Sequence, residues 1–172
     1  MRSDSVPLSA KEKGVLRGTG EDPLQYSTSR FGTIEVAEEQ MIRIKGGLLG
    51  FTNLSKYIII HHHDHGPFVW LQSLEREELA FPLIDPHLIY PDYLLEISRE
   101  DADEIGIENE DDVQIFVLVA VRSGDRRMQL NMQGPLIVNR KNNLAMQFVD
   151  QQCSYSGLVE LESTVEKQMN GV

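Results

Sequence analysis

A single cysteine among 172 residues, Cys153, leaves no partner for an intrachain disulfide. That removes the small stapled domains of secreted proteins and fits a reducing compartment. Long apolar runs are missing as well. The longest spans residues 115–121, far short of the ~20 residues that a membrane-crossing helix needs. Residues 1–18 hold no apolar stretch of the kind that opens a secretory signal, so the chain reads as soluble and cytoplasmic. Basic residues are scarce: 16 Lys and Arg stand against 27 acids, for a formal net charge of -11. Phosphate recognition needs clustered bases, which argues against a direct nucleic-acid surface. The acidic balance suits solubility or a basic protein partner. Aromatics make up 7% of the chain, with Trp70 the one tryptophan, and no internal repeat is visible.

The remaining residues read as one domain with two tails. Residues 1–29 mix charges with Ser, Thr, Gly and Pro and show no apolar period, so they are expected to be a mobile tail. Residues 30–161 form the domain, and residues 162–172 a C-terminal tail. Within the domain, short apolar runs predict strands near 31–36, 41–45, 57–63, 68–74, 79–84, 93–97, 113–121, 136–139 and 144–149. Turn signals separate them, among them Ser123-Gly124-Asp125 and Lys141-Asn142-Asn143. One helix is expected after Ser98, whose hydroxyl can cap it, with Ile105 turned inward and Gly106 ending it in a left-handed conformation. Nine short strands and one or two short helices predict a mainly β fold, a small closed antiparallel β-barrel, because closure removes exposed sheet edges.

Each candidate for chemistry has a plainer alternative. His61, His62, His63, Asp64 and His65 could hold a metal, since His61 and His63 share a strand face. They stand before Gly66-Pro67 with no distant carboxylate or thiolate at a ligand spacing, so they read as a polar strand end. Gly46, Gly47 and Gly50 lack the following Lys and hydroxyl residue of a phosphate loop and read as a turn that needs positive φ. Cys153 has no neighbouring base. No cofactor, metal or catalytic residue is expected, and the protein reads as a non-enzyme. Residues 96–112 carry nine acids against Arg99 alone. Charge runs are usually solvated faces, but Asp103, Glu104, Glu108, Glu110, Asp111 and Asp112 could steer a basic partner onto a docking surface. Phe68, Trp70 and Leu71 read as core, or as a groove for a partner's helix if exposed.

Several segments, taken in order, resemble the FliW family of flagellar assembly factors. Gly46-Gly-Leu-Leu-Gly-Phe51 is similar to its Gly-Leu-x-Gly-Phe turn, carrying Gly47, Gly50 and Phe51. Pro67-Phe-Val-Trp-Leu-Gln-Ser73 resembles its Pro-Phe-x-x-Leu-Gln-Ser strand, with Phe68, Leu71 and Gln72. Phe81 and Asp85-Pro86 match Phe-x-x-x-Asp-Pro, and Tyr93 the Pro-x-Tyr that follows. Asn131-Met-Gln-Gly-Pro-Leu-Ile-Val-Asn139, with Asn131, Pro135 and Asn139, is similar to Asn-Leu-x-Ala-Pro-Ile-x-Ile-Asn, although Met132 and Gly134 depart from it. Asp112-Val113 and Tyr155 also fall in place. The resemblance implies a small barrel without catalysis that binds flagellin and also binds the RNA-binding translational repressor CsrA. Flagellin export would free the protein to sequester the repressor and so release flagellin translation. A general export chaperone and a metal-dependent enzyme built on the histidines are the competing readings.

Overall fold

Apolar and polar residues alternate through Ile42-Arg43-Ile44-Lys45, and Ile42 and Ile44 are buried while Arg43 and Lys45 are exposed. That is the period-two signature of a strand with one face in a core. The same logic builds most of the chain. In a computed structural model, which describes residues 5–8, 22–61, 66–121 and 127–160, thirteen strands form. They are β1 (Ser5–Leu8), β2 (Leu24–Thr28), β3 (Gly32–Val36), β4 (Ile42–Lys45), β5 (Lys56–His61), β6 (Val69–Ser73), β7 (Ala80–Ile84), β8 (Leu95–Ser98), β9 (Val113–Val121), β10 (Arg127–Leu130), β11 (Leu136–Asn139), β12 (Leu144–Gln147) and β13 (Leu158–Glu160). One helix, α1 (Arg99–Glu104), and 3-10 turns at Glu38–Gln40, Pro86–Leu88 and Glu110–Asp112 complete the described residues.

Strands β4, β5, β6, β7, β9, β11 and β12 pair in that order, and β12 returns to β4 to close a seven-stranded barrel. The closed barrel expected from sequence is therefore present, with one correction. The β12–β4 pair is parallel and the others are antiparallel. Parity forces this: strands that alternate in direction cannot close a ring of odd number. The single parallel pair falls where the first and last barrel strands meet.

Each barrel strand sends a residue into one interior cluster, which includes Ile44, Tyr57, Leu71, Leu83, Phe116, Leu136 and Ala145. A second cluster lies on the outer side of β9 and β11, where Val113, Ile115, Val117 and Ile137 meet Leu95, Ile97, Ile105, Met128 and Leu130. β9 thus faces a core on both sides. This explains why its sequence runs apolar without a break from Ile115 and does not alternate.

Two parts of residues 1–29 depart from the expected tail. β2 forms a hairpin with β3, Tyr26 opposite Ile34, and β1 pairs antiparallel with β8. β1 escaped the sequence reading because its pairing is supplied by a distant edge, which a local apolar period does not report, and β2 because its residues are mostly exposed and carry little apolar signal. β10 and β13 escaped for a related reason, being three or four residues long. His62, His63, Asp64 and His65, the turn at Ser123-Gly124-Asp125 and residues 162–172 lie outside the described residues.

Candidate partner-binding site

The acidic segment is assembled around one buried polar side chain. Asn139 ends β11 with no exposed surface. Its amide nitrogen donates to the carbonyls of Ile105 and Gly106, both at 2.9 Å, and its oxygen accepts from the Lys141 backbone N–H at 2.9 Å. Asn142 adds a bond to the Ile105 carbonyl at 3.1 Å. The end of α1 is therefore clamped to the β11–β12 turn, where Asn143 sits at φ 56, a left-handed conformation that Asn tolerates.

α1 itself forms as the sequence suggests. The Ser98 hydroxyl accepts from the Asp101 N–H at 3.1 Å, Ile105 is fully buried, and Gly106 has φ 69. Asp103, Glu104, Glu108 and Asp111 are exposed, and Glu110 and Asp112 are half-buried. Lys141 reaches Asp112 at 2.8 Å and Glu108 at 3.9 Å, which brings those two acids together. The Lys141 ammonium, bonded to Asp112, holds that carboxyl below its ordinary range, and Asp112 raises Lys141 in turn. Arg99 pairs with Asp103 at 3.1 Å. Lys141 is a member of this site that sequence reasoning missed. It is far along the chain from the acids, and only the Asn139 clamp brings it there.

The residues that carry the family resemblance serve the fold. Gly47 has φ 68, and a Cβ there would lie 2.6 Å from the Phe51 carbonyl oxygen. Gly50 has φ 87, and Phe51 packs edge-on against Phe81 at 5.2 Å. Leu71 is core. Gln72 is buried and donates to the Ser73 and Leu79 carbonyls at 2.9 and 3.0 Å, closing the loop between β6 and β7. Asp85 caps the following turn by accepting from the His87 N–H at 2.9 Å, with buried Pro86 in its first position. Tyr93 is buried with its ring 4.9 Å from that of Tyr155. Burial pushes the Tyr93 hydroxyl well above the ordinary tyrosine range. Pro135 is buried and Asn131 exposed. Phe68 and Trp70 are half-buried, and the Arg30 guanidinium lies 4.1 Å over the Trp70 ring. His61 is exposed at the end of β5, and no cluster of His, Cys, Asp and Glu among the described residues has metal-holding geometry. No helix among them is long and apolar enough to cross a membrane.

An open groove of about 580 Å³ runs between β8 and residues 148–155. Leu94 and Val149 are half exposed on it, and the Tyr155 hydroxyl accepts from the Leu94 N–H at 3.0 Å. Sequence reading did not find it, because its two walls are some fifty residues apart.

Comparison with known proteins places this architecture. The family model described as FliW protein matches residues 25–159. A flagellar assembly factor FliW of Treponema denticola is 39% identical over 128 residues, covering 73% of this chain and 85% of that protein. Another from Syntrophus aciditrophicus is 35% identical over 126 residues, covering 73% and 80%. A crystal structure of the flagellar assembly factor FliW aligns with a TM-score of 0.72 at 26% identity, covering 80% of this chain and 96% of that one. With its barrel, its capped turns and its Asn139 clamp all inside the matched span, the chain belongs to the FliW family of flagellar assembly factors.

Proposed function

We propose that this protein is a cytoplasmic, non-enzymatic partner switch that binds flagellin and, when free of it, binds and antagonises CsrA, so that flagellin translation resumes. The observation that carries the reading is the family match across the whole barrel. The acidic site supports it by offering a place for the basic partner. Asp103 and Glu104 close the last turn of α1, which has no basic residue. Anions there oppose the helix dipole, and both side chains are exposed, Asp103 paired with Arg99 at the surface. A positive surface on an RNA-binding protein is the complement that would use them.

The test is a titration with purified flagellin and purified CsrA, separately and in competition. Binding to each, with flagellin displacing the repressor, is the expected result. Flagellin binding with no affinity for the repressor would favour a general export chaperone instead, and binding to neither sinks the proposal.

A further inference from the structure

β8 stands outside the barrel ring and, among the described residues, has one hydrogen-bonded neighbour, β1. The family match begins at residue 25 and so contains β8 but leaves β1 out. The register sets Val6 opposite Ile97, Leu8 opposite Leu95 and Pro7 opposite Glu96. Leu95 and Ile97 are buried, whereas Glu96 and Ser98 are exposed. β8 therefore presents backbone groups together with alternating apolar and polar positions, the two elements that strand-addition sites use for affinity and selectivity. The covering strand is held by few pairs. It is four residues long, and Pro7, opposite Glu96, has no amide hydrogen to donate, so it fills a non-hydrogen-bonded position of the ladder. Proline also limits any further strand pairing beyond it. Beside this edge the groove adds half-exposed Leu94 and Val149, with Glu96 and Asp150 as its acidic lining.

We propose that the β8 edge is a strand-addition site for a protein partner, and that β1 is the occupant this chain supplies to it. The partner segment is extended, with apolar residues two positions apart to match Leu95 and Ile97. Its intervening residue is neutral or basic, because an acid facing Glu96 would be repelled. A tethered strand competes at an effective concentration of about millimolar. An incoming segment therefore displaces β1 by supplying an apolar residue for the groove in addition to the backbone pairs that β1 makes. The inference rests on the reading of this protein as a binder of other proteins, but it does not depend on which proteins those are.

The experiment uses a labelled synthetic peptide of residues 2–9 as the probe and the full chain as the receptor. In the wild-type chain the edge is occupied, so the peptide binds weakly. A full-length Val6→Asp/Leu8→Asp variant has its own strand weakened and should bind the peptide at least tenfold more tightly. A peptide carrying the same two substitutions should not bind either chain. Hydrogen exchange supplies a second measurement on folded protein. Amides of residues 95–98 should lose protection in the variant and regain it when the wild-type peptide is added. Equal peptide affinity for both chains, or unchanged protection of residues 95–98 in the variant, overturns the proposal. Flagellin and the repressor are absent from both assays, so their outcome is separate from that of the partner switch.

Discussion

At the scale of single residues, backbone conformation and buried polar groups decide the most. Gly46, Gly47 and Gly50 all have positive φ, but a Cβ at Gly46 or Gly50 would meet open space. At Gly47 it would meet three backbone atoms of the Phe51 to Leu54 segment within 2.8 Å. Gly50→Ala should therefore cost only the left-handed conformation, about 1–2 kcal/mol. Gly47→Ala should cost clearly more, because backbone must also move, and denaturant melts of the two variants will show the order. Asn139→Ala would strip the Gly106 carbonyl and the Lys141 N–H of their bonds to its side chain. A buried group left unsatisfied costs about 1–3 kcal/mol, so the variant should unfold at correspondingly lower denaturant. That three glycines form a turn was legible from sequence, since few other residues tolerate such conformations. That Gly47 alone is irreplaceable for space was not, because the clash is with carbonyls brought there by the closed turn.

At the scale of elements, β9 and α1 were readable because their signals are local. β9 is an apolar run with both faces buried, and α1 begins at a hydroxyl cap and ends at a glycine. β1 was read as tail because its pairing partner lies elsewhere in the chain, and β2 because its hairpin with β3 is mostly exposed and weakly apolar. The acidic segment lies between these cases. Its charge was plain in the sequence, but the clamp that aims it and the partial neutralisation of Asp112 by Lys141 belong to the fold. Replacing Asp103, Glu104, Glu108 and Asp111 with Lys should change stability little, within about 0.5 kcal/mol, as for surface sites. Association with CsrA at low salt should slow by on the order of tenfold or more. The difference from wild type should shrink as salt rises, since screening acts over ~8 Å at physiological strength. Stopped-flow association at two salt concentrations checks this, and an unchanged rate at low salt would return the segment to a solvated surface.

For the molecule as a whole, the two cores carry a pH signature. Tyr57 is fully buried in the barrel interior, and burial, with Glu75 nearby, pushes its hydroxyl up to about 12. Tyr93 in the outer core is raised in the same direction. A tyrosine in the unfolded chain titrates near 10. Both groups favour the protonated folded state, so their contribution is fully present below about pH 10 and is lost as pH rises through the folded values. The melting temperature should fall between pH 9 and pH 12. Neither hydroxyl has a hydrogen-bond partner among the described residues, so Tyr57→Phe/Tyr93→Phe should be near neutral at pH 7 and should flatten that fall. A variant that loses as much stability as wild type over this range would exclude the tyrosines as the cause. By itself, the sequence determined the class of this protein. Its apolar alternation, its turn glycines and its acidic excess specify a strongly acidic β protein, because those properties follow from neighbouring residues and from composition. Only the tertiary structure decided which strand closes the ring and that its odd number forces one parallel pair. It also decided that Asn139 holds the acids in place and that residues 5–8 cover the β8 edge. Each of these joins residues far apart in the chain, and nothing local to either partner records the other.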